Sequence, residues 1–282
     1  VIVHLIDGTY ELFRHFYGLR RFTTGEDPPF GAVIGVLNTV LQMVESNATH
    51  IAVATDHVIE SFRNDLYPGY KTGEGMERAL VAQFHPLEDA LSLMGVAIWP
   101  MTDLEADDGL ASGAHIAAGI DAVEKVCIWT PDKDLAQCVR GDRVVQVDRK
   151  SGNIRNADGV REKFGVAPEL IPDYLALVGD SADGYPGIPG IGAVTAARLI
   201  NRYGPLEQFP ADVLGDNRDL ALLFKTLATL RTDAPLFQNI EELRWKGPTS
   251  TFDAFAERMG DTKLVARCAR ATSASPPAAG PA

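Results

Sequence analysis

Apolar and polar positions divide the chain into two regions of different period. In the first, short continuous apolar runs at residues 1–6, 50–55, 96–99, 124–130 and 143–147 have the pattern of strands buried on both faces. Between them, residues 9–17, 30–45 and 76–94 space their apolar positions as helices do. Strand alternating with helix predicts an α/β fold with a doubly wound, mainly parallel sheet. After the turn-forming Lys150, Ser151, Gly152 and Asn153 the spacing is helical to about residue 270. The expected division is an α/β domain over 1–160, a helical lobe over 161–270, and a disordered, low-complexity tail over 271–282. Residues 25–29 form a Gly/Pro loop, and residues 61–78, polar, aromatic and basic with Pro68, Gly69, Gly73 and Gly75, predict a mobile crossing segment.

Nearly every predicted strand closes on an acid. Asp7 and Asp56 end the first two, Glu105, Asp107 and Asp108 follow the third, and Asp132 and Asp134 follow the fourth. A parallel sheet binds its ligands at the carboxyl ends of its strands, so these acids are expected to converge. Among lysines, only Lys133 is their neighbour in sequence. Converging carboxylates without cationic partners repel one another, and a divalent ion with a taste for hard oxygen ligands, Mg2+ or Mn2+, resolves the conflict. Two such ions about 4 Å apart are a known solution to phosphodiester hydrolysis. Any one of these acids alone reads equally as a helix cap or a solvated loop residue; the set is what points to metal.

Residues 177–202 add a second chemistry. Asp180 and Asp183 stand just ahead of a hairpin bracketed by Gly187, Gly190 and Gly192, and a helix follows from about Ala193. Bare amides at a helix N-terminus attract phosphate. Small residues Ala193, Ala196 and Ala197 let two helices approach closely, giving a helix-hairpin-helix over about 180–203 that grips a duplex backbone without reading bases. Carbonyls in the same turn suit a K+ ion. The competing reading is a tight helix-helix turn that needs positive φ and nothing more. Thr195 and Arg198 on the helix after the hairpin, with Arg14, Arg63, Tyr70, Lys71 and Arg78, are the candidate DNA and phosphate contacts.

Composition changes this picture little. A net charge of −12 over 282 residues argues against a general nucleic-acid coat protein, an objection that weakens if the acids are gathered around bound cations. Cys127, Cys138 and Cys268 lack metal or disulfide spacing and are expected to be reduced thiols. No apolar run spans a bilayer and no signal peptide is evident, so a cytoplasmic monomer is expected. His4 is expected in the core, and neither it nor His15 or His57 is assigned a role.

In order along the chain, LIDG, ATD, SFR followed by YK, EADD, TPDKDL, GDSAD and PGIPGIG resemble the structure-specific 5′ nuclease family. That family comprises flap endonucleases and 5′-3′ exonucleases, including the 5′ nuclease domain of bacterial DNA polymerase I. The resemblance runs from residue 1 to about 236, ending near TLRTDAPL. It implies a PIN-like α/β domain with an H3TH-type helical lobe, cutting branched or nicked DNA near a 5′ end with two Mg2+ ions. It further implies that Asp7, Asp56, Glu105 and Asp107 serve the first metal. Asp132, Asp134 and Asp183 serve the second, with Asp180 and Asp108 nearby and Asp107 serving both. Arg14, Arg63 and Lys71 match positions near the scissile phosphate, and Tyr70 to Arg78 matches part of an arch, about 61–85, that threads a single 5′ strand.

Two positions depart from the family pattern. Glu74 stands where YKxxR has its arginine, with Arg78 one turn later, and Val194 stands where GIGxK has its lysine. Both remove cations from the DNA path, which predicts weaker or more salt-sensitive binding. The resulting expectation is a stand-alone 5′-3′ exonuclease and flap endonuclease. A non-catalytic branched-DNA-binding protein of the same fold and a PIN-like ribonuclease are the rivals.

Overall fold

The computed structural model describes residues 1–19 and 29–274. Six strands form one sheet: β1 Ile2–Asp7, β2 His50–Asp56, β3 Ala97–Met101, β4 Lys125–Trp129, β5 Val144–Val147 and β6 Ile154–Arg155. Their order is β3-β2-β1-β4-β5-β6, parallel throughout except that β6 pairs antiparallel with β5. β1 therefore lies between β2 and β4, at the point where the strand order reverses, and the ligand crevice of such a sheet opens beyond its carboxyl end.

Helices α1 Gly8–Leu19, α2 Gly31–Glu45 and α5 Phe84–Leu93 cover one face, and α6 Ala106–Ala118 covers the other. Strand alternation splits the core accordingly. Ile6, Ile51 and Val53 face α2 and α5, while Val3, Leu5, Ala52 and Ala54 face Leu110, Ala111 and Ala114 of α6. The helix expected over 76–94 is two helices, α4 Arg78–Val81 and α5, preceded by the short α3 Phe62–Leu66. At the break, Gln83 turns its side chain to α2, where Oε1 accepts hydrogen bonds from the amides of Ala32 and Val33. It thereby satisfies two of the donors that every helix start leaves over.

A second core, around Leu175, Ile200, Phe224 and Leu227, unites α7 Ala157–Phe164, α8 Ile171–Val178, α9 Ala193–Tyr203, α10 Ala211–Leu214 and α11 Arg218–Ala228. The expected extent of this lobe, to residue 270, is too long. From residue 230 the chain returns to the sheet: Leu230, Ala234, Phe237, Ile240 and Leu243 pack on the α6 face, with Phe237 stacked on Trp99 at 5.9 Å. Beyond them, α12 Phe252–Met259 and α13 Thr262–Ala274 bury Trp245, Phe252, Ala256, Leu264 and Cys268 against α2 and α5. Ala271, expected in a disordered tail, is buried within α13; residues 275–282 lie outside the described residues, as do residues 25–28 of the expected loop.

Candidate active site

The carboxyl ends of the central strands carry the acids, as their positions in sequence require. Asp7 closes β1, where its Oδ1 accepts from the amide of Tyr10 at 2.8 Å and its Oδ2 from the hydroxyl of Thr130 at 3.0 Å. Asp56 closes β2 and accepts from the amide of Ala106 at 2.7 Å, tying that strand end to the start of α6. Asp107 lies in the first turn of α6, and Asp134 opens a 3-10 turn, Asp134–Cys138, after β4. Asp180 and Asp183 come from the loop after α8.

Two groups of carboxylates bring one oxygen from each member within 4.8 Å of the others: Asp107, Asp132 and Asp134, and then Asp134, Asp180 and Asp183. Asp134 belongs to both, whereas the family resemblance gave the shared role to Asp107. Asp7, Asp56 and Glu105, expected in the first metal's set, flank these groups. Burial raises the pKa of Asp7 to about 7, with the neighbouring charges of Asp56 and Asp132 adding to it. Burial and then Asp132 likewise push Asp107 and Asp134 well above the usual carboxylate range. Asp134 Oδ1 is buried with no hydrogen-bond partner among the described residues. An all-oxygen donor set, mutual repulsion and an unsatisfied buried carboxylate oxygen fit a hard divalent cation.

Some acids do have cationic partners, drawn from distant sequence. Lys71 Nζ bridges Glu105 Oε2 at 2.8 Å and Asp183 Oδ1 at 2.9 Å, and Lys133 pairs with Asp180. Although burial opposes it, Lys71 and then Arg63 hold the Glu105 carboxyl below its ordinary range. The amide of Lys71 donates to the carbonyl of Asp183, and Gly184, at positive φ, lies so close to the Gly69 carbonyl that a Cβ would approach it to 2.2 Å. The first part of the expected mobile crossing segment is therefore docked on the loop that carries Asp180 and Asp183.

Three expected roles change. Arg63, expected near the scissile phosphate, is 1% exposed and wholly engaged. Its Nη1 and Nη2 donate to the two oxygens of Asp108 at 2.7 and 2.8 Å, Nη1 also reaches Glu105, and Nε donates to the Leu227 carbonyl. Asp108, expected among the metal ligands, spends its oxygens on Arg63 and on the amides of Glu105 and Arg231. Tyr70, expected against DNA, is 4% exposed and donates its hydroxyl to Glu105 Oε2 at 3.2 Å. All three are buried struts that orient Glu105 and the base of the crossing segment. Arg14 pairs with Glu11 and meets His15, while Arg78 is exposed at the start of α4.

The hairpin between α8 and α9 also divides by burial. Gly179 and Gly187 take positive φ and pass so close that a Cβ on either would come within 2.6 Å of the other's backbone, so Gly187, expected against DNA, is buried in backbone packing. Gly190 and Gly192 are exposed, and Gly192 caps α9 with no side-chain hydrogen bond, leaving the first amides of α9 open to a ligand. Ala196 is buried as expected between helices, but Ala193 is exposed. Arg198 is exposed, Thr195 half-buried, and Val194 is 84% exposed. Sequence reasoning passed over Ser61, whose hydroxyl donates to Glu105 at 2.6 Å, and Thr130 beside Asp7. It also passed over Tyr185, which an antiparallel bridge across the turn sets opposite Asp180.

A mainly parallel sheet that presents clustered acids at its carboxyl edge is thus joined to a helical lobe with an exposed glycine hairpin. Residues 2–165 match the N-terminal resolvase-like domain of the 5′-3′ exonucleases, and residues 166–251 match their C-terminal SAM fold. The chain belongs to the 5′-3′ exonuclease family. It is 30% identical over 260 residues to a 5′-3′ exonuclease of Aquifex aeolicus, covering 87% of each chain. It is 36% identical over 259 residues to DNA polymerase I of Pseudomonas aeruginosa, covering 85% of this chain and 28% of the polymerase. The chain thus spans less than a third of the DNA polymerase I relatives it matches. Among solved structures it shares its fold with the T5 5′-exonuclease bound to zinc, at a TM-score of 0.64 and 20% identity over 92% of this chain and 98% of that one. The catalytic core of Rad2 in complex with DNA substrate gives a TM-score of 0.61 at 13% identity, covering 94% and 90%.

Proposed function

We propose that this chain hydrolyses phosphodiester bonds near the 5′ ends of branched or nicked DNA, as a divalent-metal-dependent 5′-3′ exonuclease and flap endonuclease. The observation that carries this reading is the pair of acid groups sharing Asp134, whose buried Oδ1 has no hydrogen-bond partner among the described residues. Asp107, Asp132 and Asp134 would hold one Mg2+ or Mn2+ ion and Asp134, Asp180 and Asp183 a second, with Asp7 and Asp56 at their flank. When bound, the ions supply a hydroxide at neutral pH and neutralise charge developing on the phosphate.

The chain's own residues do the rest. The open amides beyond Gly190 and Gly192, with Thr195 and Arg198, hold the duplex backbone, and a K+ ion on the hairpin carbonyls would assist them. Lys71, a third exposed and docked at the rim of the acids, offers its ammonium to the phosphate. Arg14 and Arg78 lie further along the proposed strand path, Arg78 within the proposed arch at 61–85. Arg63, Asp108 and Tyr70 keep Glu105 and the root of that segment in place. The protein is proposed to act as a cytoplasmic monomer in DNA replication or repair.

Incubation with labelled 5′-flap DNA tests the proposal: cleavage in Mg2+, stopped by EDTA, is the expected outcome. Binding without cleavage would favour the non-catalytic reading, to which Glu74 and Val194 lend support. Preferential cleavage of RNA would favour the ribonuclease.

A further inference from the structure

Tyr185 is a polar group beside the site that neither the family motifs nor the acid groups account for. It lies on the loop between α8 and α9, where its amide donates to the Asp180 carbonyl at 3.0 Å and its carbonyl accepts from the Asp180 amide at 2.8 Å. This two-residue bridge fixes Tyr185 directly across from Asp180. The ring packs on Phe224 with centroids 5.3 Å apart and the residue is 1% exposed. Its hydroxyl is buried without a hydrogen-bond partner among the described residues. The charges acting most strongly on that hydroxyl are those of Asp134, Asp183 and Asp180, the members of one acid group.

A buried hydroxyl without a partner is costly, and phenylalanine would fill the same space without that cost. Within the same acid group lies the complementary defect, the unpartnered acceptor Asp134 Oδ1. The two are not bonded to each other. A bare cation would satisfy the carboxylate oxygen and leave the phenol unmet, whereas a cation that keeps part of its water satisfies both. Small divalent ions such as Mg2+ retain several waters.

We propose that Tyr185 is a positioning residue of the acid group Asp134, Asp180 and Asp183, donating its hydroxyl hydrogen bond to the hydration shell of the divalent cation held there. Its role is to fix where that hydration lies, through an oxygen acceptor that the described residues do not provide. The inference rests on the nuclease reading above.

The test uses the full chain without DNA. Free Mn2+ is followed by electron paramagnetic resonance during titration of the wild type and of Tyr185→Phe, and thermal unfolding of each is recorded in EDTA. The phenylalanine keeps the ring on Phe224 and removes only the oxygen. Tyr185→Phe is expected to bind Mn2+ about tenfold more weakly, the scale on which outer-shell partners act. Its midpoint in EDTA is expected to equal or exceed that of the wild type, because an unmet donor has been removed. Unchanged Mn2+ affinity overturns the inference while leaving the nuclease reading intact. Weaker binding accompanied by a lower midpoint also overturns it, since that is the signature of a structural role. A wild type that takes up no Mn2+ overturns the nuclease reading and this inference together.

Discussion

Arg63 shows how one side chain is fixed by partners from two distant parts of the chain. Its guanidinium joins Asp108 and Glu105 of the α6 start to the Leu227 and Thr229 carbonyls at the end of α11. Removing a single partner from a buried ion pair strands the other charge, so Arg63→Met is expected to lower stability by about 3–5 kcal/mol, read from urea unfolding. Sequence gave no sign of this burial, because Asp108 and the α11 carbonyls lie far from Arg63 along the chain and only the tertiary fold brings them together. The strand-end acids were legible for the opposite reason, each following its own apolar run. His4 supplies one pH dependence. Burial, then His50 and Arg149, lower its pKa from 6.5 to about 4, while its Nδ1 accepts from Trp129 Nε1 at 3.0 Å. The folded state therefore holds fewer protons than the unfolded chain between those values. Its contribution is complete above pH 6.5 and is lost as pH falls toward 4, by on the order of 2 kcal/mol. His4→Asn, which keeps an acceptor at the same place, is expected to flatten that part of the stability profile in urea titrations at pH 7 and pH 4.5.

At the scale of elements, the hairpin and α9, the proposed grip on DNA, lack the lysine that the family pattern puts at Val194. The 84% exposed valine adds no charge to the open amides beside it. Each protein cation that neutralises a phosphate steepens the salt dependence of duplex binding by about 0.9 in log-log slope. Val194→Lys is therefore expected to tighten binding at low salt and steepen that slope by about this amount, as measured by fluorescence anisotropy from 50 to 200 mM salt. An unchanged slope would remove this face of α9 from the DNA path. The helix-hairpin-helix was legible because its glycines are adjacent in sequence, yet their division was not. Whether a glycine meets another backbone or solvent depends on the partner: Gly187 meets Gly179, and Gly190 meets nothing. The break between α4 and α5 escaped notice for a similar reason, since Gln83 is helix-compatible locally and acts through its reach to α2.

Across the whole molecule, the helical lobe is an excursion from a sheet domain that the chain rejoins at residue 230. Helical spacing persisted through 245–270, so periodicity alone gave no reason to detach α12 and α13 from the lobe; their partners are α2 and α5. Phe252, fully buried in that contact, is expected to cost about 3–5 kcal/mol when replaced by alanine, measured by thermal or urea unfolding. The same return places Leu227, Thr229 and Arg231 beside Arg63 and Asp108, so sheet, crossing segment and lobe close on the acids together. Asp134 stands at the centre of that closure, the one acid common to both groups. Single-turnover cleavage of 5′-flap DNA in Mg2+ by the wild type and by Asp134→Ala is the most direct test. A loss of about a thousandfold or more in the variant, with its unfolding midpoint in EDTA retained, is the expected result. Cleavage by Asp134→Ala at a rate near that of the wild type would contradict a centre built on this residue.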